Sequence, residues 1–159
     1  MTLSGIGYDV HRLVENRPLI LGGVEISHSH GLEGHSDADV LCHAIADAVL
    51  GAIGERDIGF HFPNTDQSLR GMSSLEIVRR SSELVQSQGG RILNIDATLI
   101  AEAPKIGPHL AAMKANLARV LELPEKRVGI KATTNETMGF LGRREGIAAM
   151  AVASVELPG

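Results

Sequence analysis

The stretch GHSDADVLCHAIADAVLGAIGERDIGFHFPNTD, residues 34–66, combines a helical apolar repeat with a dense set of polar side chains. A helix that begins after Ser36 or Asp37 and runs to about Gly51 would bury one stripe formed by Leu41, Ala44, Ile45, Ala48 and Ala52. Its opposite face would carry Asp39, His43 and Asp47. A histidine between two short carboxylates is typical of a metal ligand whose second ring nitrogen is held by an acid. A solvent-facing helix with a stray histidine is the alternative.

Length and composition indicate one domain. A chain of 159 residues, with 43% hydrophobic and 21% charged residues, can build one core of ordinary composition. Two or three helices interleaved with about five strands predict a single α/β domain of α+β type over residues 1–159. In this fold class, helices pack on one face of a mixed β-sheet.

Charge and cysteine content exclude several classes of protein. A net charge of -4, without any run of Lys and Arg, argues against a nucleic-acid binder. One cysteine, Cys42, permits no internal disulfide and fits a reducing compartment. Because no apolar run reaches membrane-spanning length and no signal peptide is recognisable, we expect a cytoplasmic protein that has no membrane partner.

A predicted strand over residues 3–13 places Asp9 and His11 two apart, on one face. They offer two of the three protein ligands of a catalytic zinc site, which keeps one position open. His43 would complete the set. A short strand pair turning at Gly22-Gly23 leads into a loop with a rival pair, His28 and His30. We favour Asp9 and His11 because a strand holds ligands more rigidly than a glycine-flanked loop.

Turn residues interrupt the periodicity between Glu55 and Asp66, where Phe60 and Phe62 lie in a polar segment. This composition suggests a binding loop; a surface loop pinned by its phenylalanines is the alternative. Lys105 lies between the strand RILNIDATLI and the next helix, where it could meet a phosphate or a base, or be an ordinary surface lysine.

The segment KATTNETMGFLGRREG, residues 131–146, is the second cluster of polar side chains. It supplies hydroxyls, a carboxylate for a hard cation, flexible glycines and guanidinium groups, from Thr133, Thr134, Glu136, Gly139, Gly142, Arg143 and Arg144. These groups suit a diphosphate with a magnesium ion. Neither a Walker loop nor a glycine-rich dinucleotide turn is present.

The last predicted strand, residues 146–157, is apolar on both faces. One face would carry Ala148, Met150 and Val152, and the other Ala149, Ala151, Ala153 and Val155. A strand of this kind needs cover on both sides. The protein's own helices can supply one cover, and a second copy of the chain can supply the other.

Four motifs carry a family resemblance: GYDVHRL, GHSDADVLCHAIADAVLGAIGERDIGFHFPNTD, IAEAPKIGPH and KATTNETMGFLGRREGIA. In this order, and across nearly the whole chain, they resemble the 2-C-methyl-D-erythritol 2,4-cyclodiphosphate synthases of the non-mevalonate isoprenoid pathway. The resemblance implies a metal-dependent lyase that converts 4-diphosphocytidyl-2-C-methyl-D-erythritol 2-phosphate to the cyclic diphosphate and CMP. The 2-phosphate attacks the β-phosphorus. A zinc-dependent phosphate-ester hydrolase and a trimeric binding module are weaker alternatives.

The resemblance also implies roles for residues at matching positions. Asp9, His11 and His43 would bind Zn²⁺ or another divalent transition metal, and Glu136 would bind Mg²⁺ or Mn²⁺. His35 and Thr134 would be catalytic, with Ser36 beside them. The remaining substrate contacts would be Asp57, Ile58 and Gly59 at the ribose; Phe62, Pro63, Asn64, Thr65 and Asp66 at the methylerythritol; Ala101, Glu102, Ala103, Pro104, Lys105, Ile106 and Gly107 at the cytosine; and Thr133, Asn135, Phe140 and Arg143.

Members of this family are homotrimers with active sites between subunits, which would explain the doubly apolar last strand. The family also has a central cavity that can hold an isoprenoid diphosphate, and Phe140 and Arg143 would line it. An acidic residue sometimes found nearby is replaced here by Met150, which puts this regulation in doubt.

Overall fold

A computed structural model describes all residues from 1 to 159 as one α+β domain. The strands are β1 (Thr2–Glu15), β2 (Leu19–Leu21), β3 (Val24–Ile26), β4 (His30–Leu32), β5 (Arg91–Ile100), β6 (Val128–Thr133) and β7 (Gly146–Glu156). The helices are α1 (Val40–Ala52), α2 (Ile58–His61), α3 (Ser74–Ser87), α4 (Leu110–Val120) and α5 (Gly139–Gly142). None of these helices combines the length and apolarity needed to cross a membrane.

Five strands form a mixed sheet in the order β4-β1-β7-β5-β6, while β2 and β3 form a separate hairpin. Strands β5 and β6 are parallel, and every other neighbouring pair is antiparallel. Because β5 and β6 are parallel, their carboxyl ends and the two segments that follow them lie at one edge. The predicted mixed sheet is therefore confirmed. Strand β4 lies in a segment that the sequence predicted to be a loop.

Helix α1 is the centre of the fold. It packs against β1 and β7 on one side and against α3 on the other. The predicted stripe is buried, but so are Val40, Cys42, Ala46, Val49 and Leu50. The alternative of a solvent-facing helix was therefore wrong, because α3 and the loop before α1 cover the side that carries His43.

The beginning of α1 also differs from the prediction. Asp39, rather than Ser36 or Asp37, is the N-cap, and its carboxylate accepts a hydrogen bond from the amide of Cys42. The same carboxylate accepts the amides of Gly22 and Gly23 at 2.9 and 2.8 Å. Both glycines have positive φ, as a two-residue hairpin turn requires. The predicted turn between β2 and β3 is thus confirmed, and it fixes the start of the helix.

The second face of the sheet has no cover within the chain. The odd-numbered residues of β7 from Ile147 to Val155 are buried under the helices, as predicted for one of its faces. On the other face, Ile6 and Tyr8 of β1 are 68% and 52% exposed, and Met150 and Val152 of β7 are each 45% exposed. Apolar side chains that lie together on an open sheet face are typical of a protein-protein interface.

Candidate active site and metal centre

A cavity of about 930 Å³ opens beside the first turns of α1. Its walls come from the end of β1, the loop before α1, the α2 region and the segment leading into α3. Predicted site residues in these walls are Asp9, His11, His35, Ser36, His43, Asp57, Ile58, Gly59, Phe62, Pro63, Asn64 and Asp66. Thr65 lies in the same segment. The region from Ile58 to His61 is a short helix, although the sequence suggested turns throughout.

Three of these residues form a compact ligand group. Asp9 Oδ2 lies 2.9 Å from His11 Nε2 and 3.0 Å from His43 Nδ1, and the two nitrogens are 3.2 Å apart. A tetrahedral zinc ion with bonds of about 2.0–2.1 Å would separate such atoms by about 3.3–3.4 Å. The three atoms are therefore spaced nearly as a tetrahedral metal requires, and all three residues line the cavity. They are the only cluster of this kind in the chain.

The ionisation of the group favours cation binding. Burial would raise the pKa of Asp9, but hydrogen bonds from His11 and His43 outweigh it and lower that pKa to about 2. Asp9 is therefore a carboxylate at neutral pH. Burial would lower the pKa of His11, whereas the hydrogen bond and charge of Asp9 raise it, and the net shift is upward. A cation that binds to these three atoms would take the place of the hydrogen bonds that join them.

The hydrogen bond of its other ring nitrogen fixes the tautomer of His11. Nδ1 lies 2.6 Å from the carbonyl oxygen of Glu33, which can only accept. Nδ1 must therefore carry a proton, so the lone pair of Nε2 in the neutral ring points into the ligand group. A ligand that is oriented in this way needs no rearrangement to bind a metal.

The predicted acids beside His43 do not hold its ring. Asp39 is fully buried at the helix cap, with Gly22, Gly23 and Cys42 as partners. Asp47 accepts the amide of Ile58 at 2.8 Å. This part of the prediction was wrong, because both carboxylates satisfy backbone amides that the helical spacing alone cannot reveal. His43 Nε2 instead faces two hydroxyls, Ser74 at 2.9 Å and Ser36 at 3.2 Å.

Arg17 holds the backbone on both sides of His35. Its Nη1 and Nη2 donate to the carbonyls of Gly34 and Ser36 at 3.0 and 3.1 Å. The rigid fork of a guanidinium can span two acceptors in this way, whereas a lysine ammonium cannot. Arg17 and Arg70 both line the cavity. Neither cation was predicted from the sequence, since neither belongs to a recognisable motif.

The remaining predicted residues form a second group outside this cavity. Residues 101–107 follow β5, and residues 133–136 lie at and beyond the end of β6. Glu102 joins the two segments because its Oε1 accepts the amides of Asn135 and Thr137 at 2.8 and 3.1 Å. The amide of Glu136 donates to Thr134 Oγ1 at 3.2 Å, and the Glu136 side chain is exposed. The set comprises Ala101, Glu102, Ala103, Pro104, Lys105, Ile106, Gly107, Thr133, Thr134, Asn135 and Glu136.

The pairing of the strands gives the distance between the Asp9 ligand group and the segment that carries Glu136. Asp9 is paired with Ala149 of β7, which is paired with Leu99 of β5. Ala132 of β6 is the next residue in this row. Three strand spacings, or about 14 Å, therefore separate Asp9 from Ala132. One chain brings the ligand group and the Glu136 segment to the same end of the sheet but does not bring them into contact.

The other predicted positions lie apart from the ligand group. Phe140 is exposed, and Arg143 donates to Glu145 at 3.0 Å. His28 and His30 line a separate cavity of about 170 Å³ with Arg144. No carboxylate lines that cavity, so the rival histidine pair lacks the third ligand that the Asp9 group has.

Chemically, the main cavity combines a metal-binding group with cationic and hydroxyl side chains. The anionic Asp9 and two neutral imidazoles would hold a divalent cation, while Arg17, Arg70 and His35 lie where an anionic ligand could meet them. This combination suits a phosphorylated substrate.

Several proteins resemble this chain closely. It is 58% identical over 157 residues to the "Bifunctional enzyme IspD/IspF" of Sphingopyxis alaskensis. That match covers 99% of this chain and 40% of the Sphingopyxis protein. It is also 58% identical over 159 residues to the 2-C-methyl-D-erythritol 2,4-cyclodiphosphate synthase of Akkermansia muciniphila, covering 99% of the chain and 94% of the relative.

Solved structures show the same fold. A 2C-methyl-D-erythritol-2,4-cyclodiphosphate synthase described as a bound form with CDP matches with a TM-score of 0.89 and 38% identity. The match covers 96% of this chain and 99% of that one. The model of the YgbB family matches residues 2–156, nearly the whole chain, and the chain therefore belongs to the YgbB family.

Proposed function

We propose that this protein converts 4-diphosphocytidyl-2-C-methyl-D-erythritol 2-phosphate to 2-C-methyl-D-erythritol 2,4-cyclodiphosphate and CMP, as a lyase of isoprenoid precursor biosynthesis. The observation that carries the proposal is the Asp9, His11 and His43 group at the wall of a cavity that could hold a phosphorylated ligand. Family membership and relatives named as cyclodiphosphate synthases support the identity of the substrate.

The reaction exchanges one phosphate linkage for another. An oxygen of the 2-phosphate forms a bond to the β-phosphorus, and the bond from that phosphorus to the oxygen bridging it to the α-phosphate breaks. CMP leaves with that oxygen and with the electron pair of the broken bond. Nucleophile and leaving group are both phosphates, so the protein must mainly position negative groups and neutralise developing charge.

Two divalent cations would supply much of that neutralisation. Asp9, His11 and His43 would hold Zn²⁺ or another transition metal, and Glu136 would hold Mg²⁺ or Mn²⁺. His35, with Ser36 beside it, would contact the phosphates from the segment that Arg17 fixes. Thr134 would donate its hydroxyl proton to a phosphate, because its oxygen already accepts the amide of Glu136.

The organic parts of the substrate would lie on either side of the phosphates. Asp57, Ile58 and Gly59 would contact the ribose, and the segment from Phe62 to Asp66 would surround the methylerythritol. The cytosine would bind to residues 101–107, with Thr133 and Asn135 nearby. The CDP in the name of a solved relative is consistent with such a nucleotide site.

The active form would be a homotrimer with sites shared between subunits. Two observations support this assembly: the uncovered apolar face of the sheet and the separation of the two groups of site residues within one chain. Phe140 and Arg143 would then face a central cavity, where an isoprenoid diphosphate could bind. We expect the protein to act in the cytoplasm.

The experiment that tests the activity is incubation with the diphosphocytidyl substrate, Mg²⁺ and Zn²⁺, followed by phosphorus NMR. Equal amounts of CMP and cyclic diphosphate are expected. CMP released with an uncyclised bisphosphate would show that water is the nucleophile and would favour a zinc-dependent hydrolase. None of the relatives described above is named as a hydrolase.

A further inference from the structure

The ring of His43 has one nitrogen in the ligand group and one outside it. Nδ1 lies 3.0 Å from Asp9 Oδ2, so it is the atom that would bind a cation. A neutral imidazole has one lone pair and one N–H group. To present its lone pair at Nδ1, His43 must therefore carry its proton on Nε2, and that N–H needs an acceptor because the side chain is buried.

Ser74 is the acceptor that the geometry supports best. Its Oγ lies 2.9 Å from His43 Nε2, and the residue is fully buried at the first position of α3. The same hydroxyl is hydrogen-bonded to Asp37 Oδ1, and the Ser74 amide donates to Asp37 Oδ2 at 3.0 Å. An ionised carboxylate only accepts hydrogen bonds, so the hydroxyl proton of Ser74 must point to Asp37.

With a cation bound at Nδ1, this arrangement would fix both protons. Ser74 would donate to Asp37, its oxygen would accept from His43 Nε2–H, and the lone pair of Nδ1 would face the cation. Ser36 is a poorer acceptor for the same proton. Its Oγ lies farther from Nε2, at 3.2 Å, and already accepts the amide of Ala38 at 3.1 Å.

We infer that Ser74, held by Asp37, is a positioning residue that fixes the metal-binding tautomer and the ring orientation of His43. The inference rests on the proposed metal centre and deepens it. It assigns a task to two residues that belong to neither group of predicted site residues. A backbone hydrogen bond also joins the loop before α1 to the start of α3, because Asp37 donates its amide to the Met72 carbonyl at 3.2 Å.

Partners of this kind typically change metal affinity by about 10–100-fold. Ser74→Ala should therefore weaken Co²⁺ and Zn²⁺ binding by about that factor, without removing a ligand atom. Ser74→Thr, which retains a hydroxyl, should restore most of the affinity. The matched control is Ser81→Ala, because Ser81 is a buried serine of the same helix whose hydroxyl donates to the Ile77 carbonyl.

The measurement is competition between the purified protein and a chelator of known affinity, with the Co²⁺ absorption spectrum as a second readout. Asp37→Asn provides an independent variant if Ser74→Ala does not fold. Its amide nitrogen would donate to Ser74 Oγ, turn the serine proton toward His43 and again weaken binding. Wild-type affinity in folded Ser74→Ala or Asp37→Asn would overturn the inference while leaving the metal centre in place. Failure of the wild-type protein to bind Co²⁺ or Zn²⁺ would overturn both, whereas the cyclisation assay tests the proposed reaction separately.

Discussion

Gly7 lies directly under the carbonyl group of Ala44. A Cβ atom built on Gly7 would lie 1.8 Å from the Ala44 oxygen, and one built on Gly5 would lie 2.1 Å from the oxygen of Ala48. Because alternate residues of β1 share a face, Gly5 and Gly7 form a flat surface on which α1 rests. Asp9 and His11 come next on that face, and the close approach of α1 brings His43 to them.

Gly7→Ala should destabilise the protein strongly. The obstacle is helix backbone, which cannot move aside as a side chain can, so we expect a loss at or above the upper end of the usual overpacking range of about 1–3 kcal/mol. Gly51→Ala is the control: its new Cβ would meet nothing closer than 3.8 Å, and Ala in a helix is better than Gly by about 0.5–1 kcal/mol. Urea unfolding of both variants checks this, and equal midpoints for Gly7→Ala and wild type would contradict it.

Local sequence signals predicted the parts of the site that short spacing determines. Asp9 and His11 share a face of a strand because they are two residues apart, and the helical period placed His43 on a helix that ends close to Gly51, as predicted. The glycine pair at Gly22-Gly23 marked a hairpin turn. Each of these predictions depended on the geometry of a single element, and the structure contains each element, although α1 begins at Val40 and not directly after Ser36 or Asp37.

The partners of these elements were not predictable in the same way. The role of Asp39 depends on a hairpin 16 and 17 residues away, which supplies the amides that occupy its carboxylate. Ser74 is 31 residues from His43, and no short motif links the two. Arg17 follows a strand in no motif. The roles of all three residues depend on contacts with distant parts of the chain, which the periodicity of a single helix or strand cannot predict.

Asp9→Asn should lower the pKa of His11 in the metal-free protein. The carboxylate raises that pKa above its ordinary value of 6.5 through a hydrogen bond and its charge, against the opposing effect of burial. This interaction stabilises the folded protein fully below the pKa that His11 has in the unfolded chain. The contribution is lost as the pH rises through the higher pKa of His11 in the folded protein. NMR titration of the ring protons measures the shift. Asp96→Asn, on the uncovered sheet face, is the control, and equal His11 pKa values in Asp9→Asn and wild type would disprove the assignment.

His43→Ala should remove metal and activity together. Two ligands do not make a tight site, so the affinity for Zn²⁺ should fall by more than the roughly 100-fold upper limit expected for loss of a supporting hydrogen bond. His28→Ala and His30→Ala are the matched controls, since both histidines line the separate small cavity. Metal content by mass spectrometry checks the result. Full occupancy in His43→Ala, with an empty site in either control, would show that the rival pair is the metal site.

Sharing of the active site between subunits predicts that two inactive variants can restore each other. His43→Ala lacks a zinc ligand, and Glu136→Gln should lose the magnesium contact, which typically costs on the order of 10²–10³ in turnover. If each site combines the Asp9 group of one subunit with the Glu136 segment of its neighbour, mixed assemblies contain sites with neither lesion. In a random equal mixture, about half of the Asp9 groups and about half of the Glu136 segments are intact. About one quarter of the sites therefore combine two intact parts, and about one quarter of wild-type activity should return.

The experiment is co-expression or joint refolding of the two variants, with CMP release as the assay. Light scattering should give about 51 kDa, three times the chain mass of 16.9 kDa, for each variant and for the mixture. Each variant refolded alone provides the baseline. Trimers of the right mass without any recovered activity would place the complete site within one chain. A fully active monomer would rule out both the shared site and the need for the assembly, because the uncovered face of Ile6, Tyr8, Met150 and Val152 would then have no role in catalysis.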